Sequence, residues 1–228
     1  MREIVVDTET TGLDPADGHR IIEIGCVELF DHVPTGLSFQ RYLNPERPIP
    51  REAQRVHGLT DEFLVGKPLF STIADELLGF FGDAPIIMHN ASFDIKFVNA
   101  ELLRLARPAI PVSRTIDTIE IAKAKLPGAR YSLDELCRRF GIDLSARVKH
   151  GALVDAELTA RVYLELVGSR QARLRLAPRD AGTVARDERT AARQRPEVLP
   201  SRISAAEATA HAAFISSELG SDAVWNWQ

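Results

Sequence analysis

A chain of 228 residues, 45% hydrophobic and carrying a net charge of −4, is long enough for one α/β domain and an appendage. No run approaches the ~20 apolar residues of a membrane span, and Met1-Arg2 leads at once into a strand-like run instead of a signal peptide, so a cytoplasmic protein is expected. Cys26 and Cys137 sit singly in apolar-periodic segments, which reads as reduced core thiols and argues against a cysteine metal site.

The charge is uneven. Residues 169–228 hold 9 Arg and 7 acidic residues, whereas residues 1–168 hold 19 Lys+Arg and 25 Asp+Glu. An acidic domain is a poor collector of bulk nucleic acid, because sequence-independent affinity comes from neutralising phosphates. If the substrate is a nucleic acid, metal ions or a partner must help to hold it.

In chain order, Ile4–Val6 is strand-like, Ile21–Leu29 is β-rich and Ser38–Leu43 alternates; together they predict an antiparallel meander. Helices are predicted near 71–82 and 92–106, with the strand Ile86–His89 between them and Ser92 as N-cap of the second. The run at 115–124 fits strand or helix. Helices near 132–140 and 151–167 complete a mixed β-sheet flanked by helices, an α/β domain over 1–168. Residues 169–202, Arg-rich and short of large apolar side chains, read as a flexible linker. Order returns in 203–228, where Ser204-Ala-Ala-Glu207 fits a capping box. A short amphipathic helix follows, ended by Gly220, with Trp225 and Trp227 beyond it.

Four carboxylates and one histidine carry the chemistry. Asp7 and Glu9 follow an apolar run in Asp7-Thr8-Glu9-Thr10-Thr11-Gly12, and residues i and i+2 of an extended segment face the same side. Their mutual repulsion in a half-buried cleft would be relieved by a divalent cation. Asp94 follows a second apolar run, at the start of a helix. Asp155 shares a helical stripe with Leu158 and Val162, which should face inward, so its charge needs a cation or a cleft. His150 precedes it on the entering loop. One ion held by Asp7, Glu9 and Asp155 would acidify a water. A second, held by Asp7 and Asp94, would stabilise the departing 3′ oxygen, with the ions about 3.5–4 Å apart. His150, with an ordinary pKa near ~6.5, suits the water's proton at neutral pH. All-oxygen ligands favour two Mg²⁺ ions, with Mn²⁺ as substitute.

The motifs DTETTG, HNASFD and HGALVDAEL resemble the three exonuclease motifs of the DEDDh superfamily, in the order Asp-x-Glu, Asp, His-x4-Asp. Arg20-Ile-Ile-Glu-Ile-Gly, Val56-His-Gly-Leu-Thr-Asp-Glu-Phe and Ser132-Leu-Asp-Glu-Leu-Cys are similar to the proofreading subunits of bacterial DNA polymerase III. The resemblance covers about 3–168 strongly and the tail in layout. It implies an RNase H-like exonuclease fold and metal-dependent 3′→5′ hydrolysis that removes mispaired nucleotides from the 3′ end of a nascent DNA strand. Substrate contacts are then implied for Asp7, Glu9, Glu52, His57 and Asp155, with Asn90 as an amide beside the metal site and Phe93 as an aromatic to stack on a base. By their residues alone, Glu52 and His57 read more readily as ordinary loop positions, and Phe93 reads equally as core.

Gln171-Ala-Arg-Leu-Arg-Leu176 resembles a sliding-clamp binding motif, although Leu176 stands where an aromatic is common. The tail helix with Trp225 and Trp227 is similar in placement to the segment that tethers such exonucleases to the polymerase (alpha) subunit. A small accessory subunit is a further candidate partner, on which the sequence itself is silent. The competing readings are a stand-alone DEDDh exonuclease trimming RNA or DNA 3′ ends, and a scaffold without catalysis. The long tail argues against the first, and the five intact positions argue against the second.

Overall fold

The computed structural model describes residues 1–145, 147, 149–168 and 203–219. The 169–202 segment, the Gln171–Leu176 motif, Gly220, Trp225 and Trp227 lie outside the described residues. The chain divides into two compact units, the first ending at Leu174.

The central strand, β1 (Arg2–Thr10), buries Ile4, Val5 and Val6 completely, as expected for a strand covered on both faces. It pairs antiparallel with β2 (Ile21–Phe30), which pairs antiparallel with β3 (Val33–Tyr42), giving the expected meander. After β3 come two helices that hydrophobic periodicity does not predict, α1 (Arg51–His57) and α2 (Asp61–Leu64). They are one or two turns long, and each buries a single residue, His57 and Leu64. α3 (Phe70–Phe81) buries Phe70, Ile73, Ala74, Leu77 and Phe81, the spacing that predicts it. The strand β4 (Ile86–Met88) then joins β1 in parallel, and α4 (Ala91–Arg104) follows. The ambiguous 115–124 run is both elements in succession. β5 (Thr115–Asp117) pairs parallel with β4, and Asp117 caps α5 (Thr118–Lys125) by accepting from Ile119 N at 2.9 Å. α6 (Leu133–Phe140) and α7 (Ala152–Val167) complete the first unit, whose sheet runs β3-β2-β1-β4-β5. In the second unit α8 (Ala205–Phe214) starts on the predicted Ser204–Glu207 capping box and widens into a π-helical turn at Ile215–Leu219.

Ser92 is not the N-cap of α4. Asn90 occupies that position in a left-handed conformation (φ 70°), and Ser92 lies inside the helix. The free N–H groups of Asn90 and Ala91 donate to Asp117 Oδ1 and Oδ2, each at 3.1 Å. One carboxylate thus serves the N-termini of both α4 and α5, a cap supplied from a distant strand.

The sheet lies between two helical layers. Ile4 and Val6 pack with residues of α3 and α4, while Val5 and Ile87 pack with Ala160 and Tyr163 of α7. Side chains alternate along a strand, so Asp7 and Glu9 share the α7 face and Thr8 shares the α4 face. A register shift between Glu9 and Thr10 ends the regular pairing there.

Candidate active site

Asp7 and Glu9 lie within β1, not beyond its end, because the strand continues to Thr10. α7 brings Asp155 to them. Its first turn rests on β2 at Gly25, the residue paired with Asp7. A Cβ at Gly25 would stand 2.5 Å from Ala152 O and closer still to the neighbouring backbone, so only glycine permits this approach. The N-cap of α7 is Gly151, which has no side chain to offer; Glu23 of β2 accepts a hydrogen bond from the Ala152 backbone instead. From the other face, Asp94 Oδ1 accepts from Thr8 N (3.0 Å) and Thr8 Oγ1 (2.7 Å), which ties α4 to β1.

The four carboxylates and His150 line one cleft of about 560 Å³, with Thr8, His89, Asn90, Phe93, Ile119, Asp134 and Arg147 among its other walls. Glu9, Asp94 and Asp155 are buried, Asp7 is half-buried, and the His150 side chain is 46% exposed. His150 Nδ1 is 3.2 Å from Asp155 Oδ2. Arg147, which motif reading does not single out, is the cation of the site. Its Nε and Nη2 fork onto Asp155 at 2.5 and 2.6 Å, Nη1 pairs with Asp134, and Nη2 also contacts His150 Nδ1 at 2.8 Å.

Burial shapes the protonation of this cluster. It raises Asp7 well above the usual carboxylate range, helped by repulsion from Asp94, Asp155 and Glu9. Burial also lifts Glu9 to about 8, with Asp155 and Glu23 adding to the effect. Asp94 is pushed up to about 7 by burial, against the opposing hydrogen bonds from Thr8. Asp155 goes the other way: burial acts to raise it, but the hydrogen bonds from His150 and Arg147 prevail and hold it low.

The donor set fits divalent cations. Glu9, His150 and Asp155 offer ligand atoms all within 4.8 Å of one another. The carboxyls that resist ionisation are the ones a nearby dication would ionise. Between the ordinary carboxylate range near ~4 and the raised values, the folded metal-free protein holds protons that the unfolded chain has released, so stability falls as pH rises through that window. The melting temperature without metal should therefore drop between about pH 5 and pH 8, and added Mg²⁺ or Mn²⁺ should raise it more at the higher pH. A melting temperature independent of pH and metal across that range would show that the cluster is not strained.

The remaining candidates are placed unequally. Asn90 and Phe93 line the cleft, the Phe93 ring also standing 5.1 Å from that of Phe97 at the edge of the core. Glu52 and His57 are helical, not loop residues. Glu52 is exposed, outside the cleft walls, and its Oε1 is 3.3 Å from Arg55. His57 is buried; its Nδ1 accepts from Leu59 N at 3.0 Å and its Nε2 has no partner among the described residues. Burial and the nearby Lys149 and His150 depress its pKa to about 4, so the ring is neutral and Nε2 carries the hydrogen.

A mixed sheet whose central strand presents Asp-x-Glu to a His-x4-Asp helix defines a nuclease of the exonuclease class, and the exonuclease family model (RNase_T) matches residues 4–163. The nuclease domain of 3′hExo, described as a DEDDh family member bound to rAMP, superposes with a TM-score of 0.64 at 20% identity, over 74% of this chain and 92% of that one. Exonuclease X in complex with 5′ overhanging duplex DNA gives a TM-score of 0.58 at 25% identity, over 73% and 91%. DNA polymerase III subunit epsilon of Rickettsia conorii is 53% identical over 184 residues, 79% of this chain and 80% of that protein. That of Escherichia coli K12 is 46% identical over 175 residues, 73% and 72%. The chain belongs to the DNA polymerase III subunit epsilon family.

Proposed function

We propose that the cleft hydrolyses the terminal phosphodiester of a DNA strand, with Asp7, Glu9, Asp94 and Asp155 as metal ligands and His150 as general base. Membership of the family makes the protein a metal-dependent 3′→5′ exonuclease, the proofreading subunit of the replicative polymerase, which removes mispaired nucleotides from the nascent 3′ end. The observation that carries the site assignment is the convergence of all five side chains on one cleft from both faces of the sheet.

Two divalent ions, one at Asp7, Glu9 and Asp155 and one at Asp7 and Asp94, would supply Lewis-acid stabilisation of the charge developing on the phosphate and the departing 3′ oxygen. Oxygen ligands favour Mg²⁺, with Mn²⁺ as substitute. The chain's own residues orient the proton transfer. With Nδ1–H held toward Asp155, His150 presents a free Nε2 to the attacking water. The Arg147 Nη2 contact demands the opposite tautomer, in which Nδ1 accepts and Nε2 is protonated. Arg147 must therefore release His150 before the base can act. Asn90 and Phe93 are suited to hold the sugar and base of the terminal nucleotide, and Glu52 and His57 to contact it from α1.

We assign residues 1–168 to the exonuclease domain, 169–202 to a linker and 203–228 to the polymerase-binding tail. The apolar side chains of α8, including Phe214 at 56% exposure, are uncovered among the described residues, which supports docking on the polymerase alpha subunit. Clamp binding through Gln171–Leu176 and a small accessory subunit complete the assembly proposed for this chain. No helix among the described residues is long and apolar enough to cross a membrane, which is compatible with a cytoplasmic site of action.

The test is degradation of a 5′-labelled single-stranded oligonucleotide with Mg²⁺. Wild type should yield a metal-dependent 3′→5′ ladder, and His150→Ala should lose about 10²–10⁴-fold in rate. Residues 1–168 alone should keep the ladder and fail to bind the polymerase subunit. An inert, folded wild type with either metal would sink the enzymatic assignment.

A further inference from the structure

The domain faces an electrostatic problem. Its substrate is a polyanion, yet residues 1–168 carry a surplus of acidic groups, and the cleft walls include Asp7, Glu9, Asp94, Asp134 and Asp155. The cation in those walls, Arg147, is engaged by Asp155 and Asp134. Dications in the cleft would hold the scissile phosphate and nothing further along the strand. Another part of the surface has to meet the next phosphates.

A groove of about 570 Å³ lined by Arg51, Gln54, Arg55, Gly58, Thr60 and Lys149 has the required character. It contains three cations and no acidic wall. Arg51 and Lys149 make no ion pair among the described residues, and Arg55 pairs only with Glu52, at 3.3 Å and with both side chains more than three-quarters exposed. Such an exposed pair is worth little and yields readily to a phosphate. The groove is joined to the cleft through the backbone, since Lys149 immediately precedes His150. It is also joined by packing. Gly58 holds φ +77°, and a Cβ there would meet Lys149 Cδ at 2.6 Å and Nζ at 2.7 Å, so the lysine lies directly over α1's C-terminal glycine. At this seam sits His57, whose buried Nε2 has no partner among the described residues.

We propose that Arg51, Arg55 and Lys149 form a phosphate-binding groove for the single-stranded DNA backbone on the 5′ side of the nucleotide being removed. The inference rests on the exonuclease reading above. In a 3′→5′ exonuclease the terminal nucleotide occupies the cleft, and whatever strand extends beyond it is necessarily 5′ to the scissile bond. The groove contributes affinity without base identity, because its donors reach charge and not base edges. It also confines the strand to one exit, past the loop that carries His150.

The experiment compares the full-length wild type with Arg51→Gln/Arg55→Gln on two substrates. One is a single-stranded oligonucleotide; the other is the p-nitrophenyl ester of thymidine 5′-monophosphate, which fills the cleft without reaching the groove. Both arginines are exposed and glutamine keeps the helix propensity of α1, so the fold should survive. The variant should raise KM for the oligonucleotide about 5–10-fold at moderate salt and leave kcat/KM for the ester unchanged. The slope of log KM against log[salt] should fall by about 0.7 for each phosphate that the variant no longer neutralises. Arg51→Lys/Arg55→Lys should restore most of the affinity and the slope. An unchanged oligonucleotide KM and slope in an active enzyme would overturn the groove, and so would an equal loss on the ester. A wild type that cleaves neither substrate would instead overturn the nuclease reading beneath it.

Discussion

Asp7→Asn should abolish hydrolysis and, at the same time, make the metal-free protein more stable. The loss of activity follows from the position of Asp7, which belongs to both proposed metal sites and lies on the central strand between Glu9, Asp94 and Asp155. Removing several kcal/mol of transition-state stabilisation lowers the rate by about 10³–10⁵. The gain in stability has a separate origin. Burial and three neighbouring carboxylates oppose ionisation of Asp7, and an amide of the same shape removes that opposition. The expected gain is on the order of 1 kcal/mol, or about 2–4 °C in melting temperature for a chain of this size. It should be larger near pH 8 than near pH 5, since above the ordinary carboxylate range folded Asp7 keeps a proton that the unfolded chain has released, a cost that grows with pH up to its raised pKa. Added Mg²⁺ should erase the advantage, because the dication relieves the same repulsion in the wild type. Thermal melts with and without metal, beside a rate measurement, check both halves. A destabilised Asp7→Asn protein would mean that the carboxylate is held by partners and not strained.

Gly25→Ala should damage the site from outside it. The added Cβ meets the Ala152 carbonyl oxygen at 2.5 Å, and this is backbone, which cannot rotate away as the end of a side chain would. α7 must lift from β2, and overpacking of this kind costs about 1–3 kcal/mol. The functional loss should be out of proportion. Asp155 and His150 belong to the start of α7 and its entering loop, whereas Asp7 and Glu9 stay on β1, so a displaced helix separates the halves of the constellation. A shift on the scale of 1 Å costs about 10² in rate. The check is kcat against metal concentration in a folded variant. The apparent metal affinity should fall with the rate, and an unchanged metal dependence would place the damage elsewhere.

Much of this arrangement is readable from the chain alone. The i, i+2 pairing of Asp7 and Glu9 and the inward stripe of Asp155, Leu158 and Val162 follow from periodicity, and the structure buries Leu158 and Val162 as that stripe requires. What escapes is whatever depends on neighbours distant in sequence. α1 and α2 are too short to show a period. The cap of α4 comes from Asp117 on β5, so local reading settles on Ser92. Glu23 supports α7 across the sheet because Gly151 has nothing to offer. Arg147 is hidden for another reason. A lone arginine in a polar loop looks solvated, and only the fold shows it aimed at Asp155 and Asp134. The run 115–124 requires no choice between strand and helix, since the two share it across Asp117.

The fork of Arg147 onto Asp155 ties the loop before α7 to the first turn of that helix. The same guanidinium reaches Asp134 at the start of α6, so one side chain joins two helices and the loop between them. The stretch that carries His150 is thus moored to both helices at once, and the aim of its imidazole is inherited from their packing.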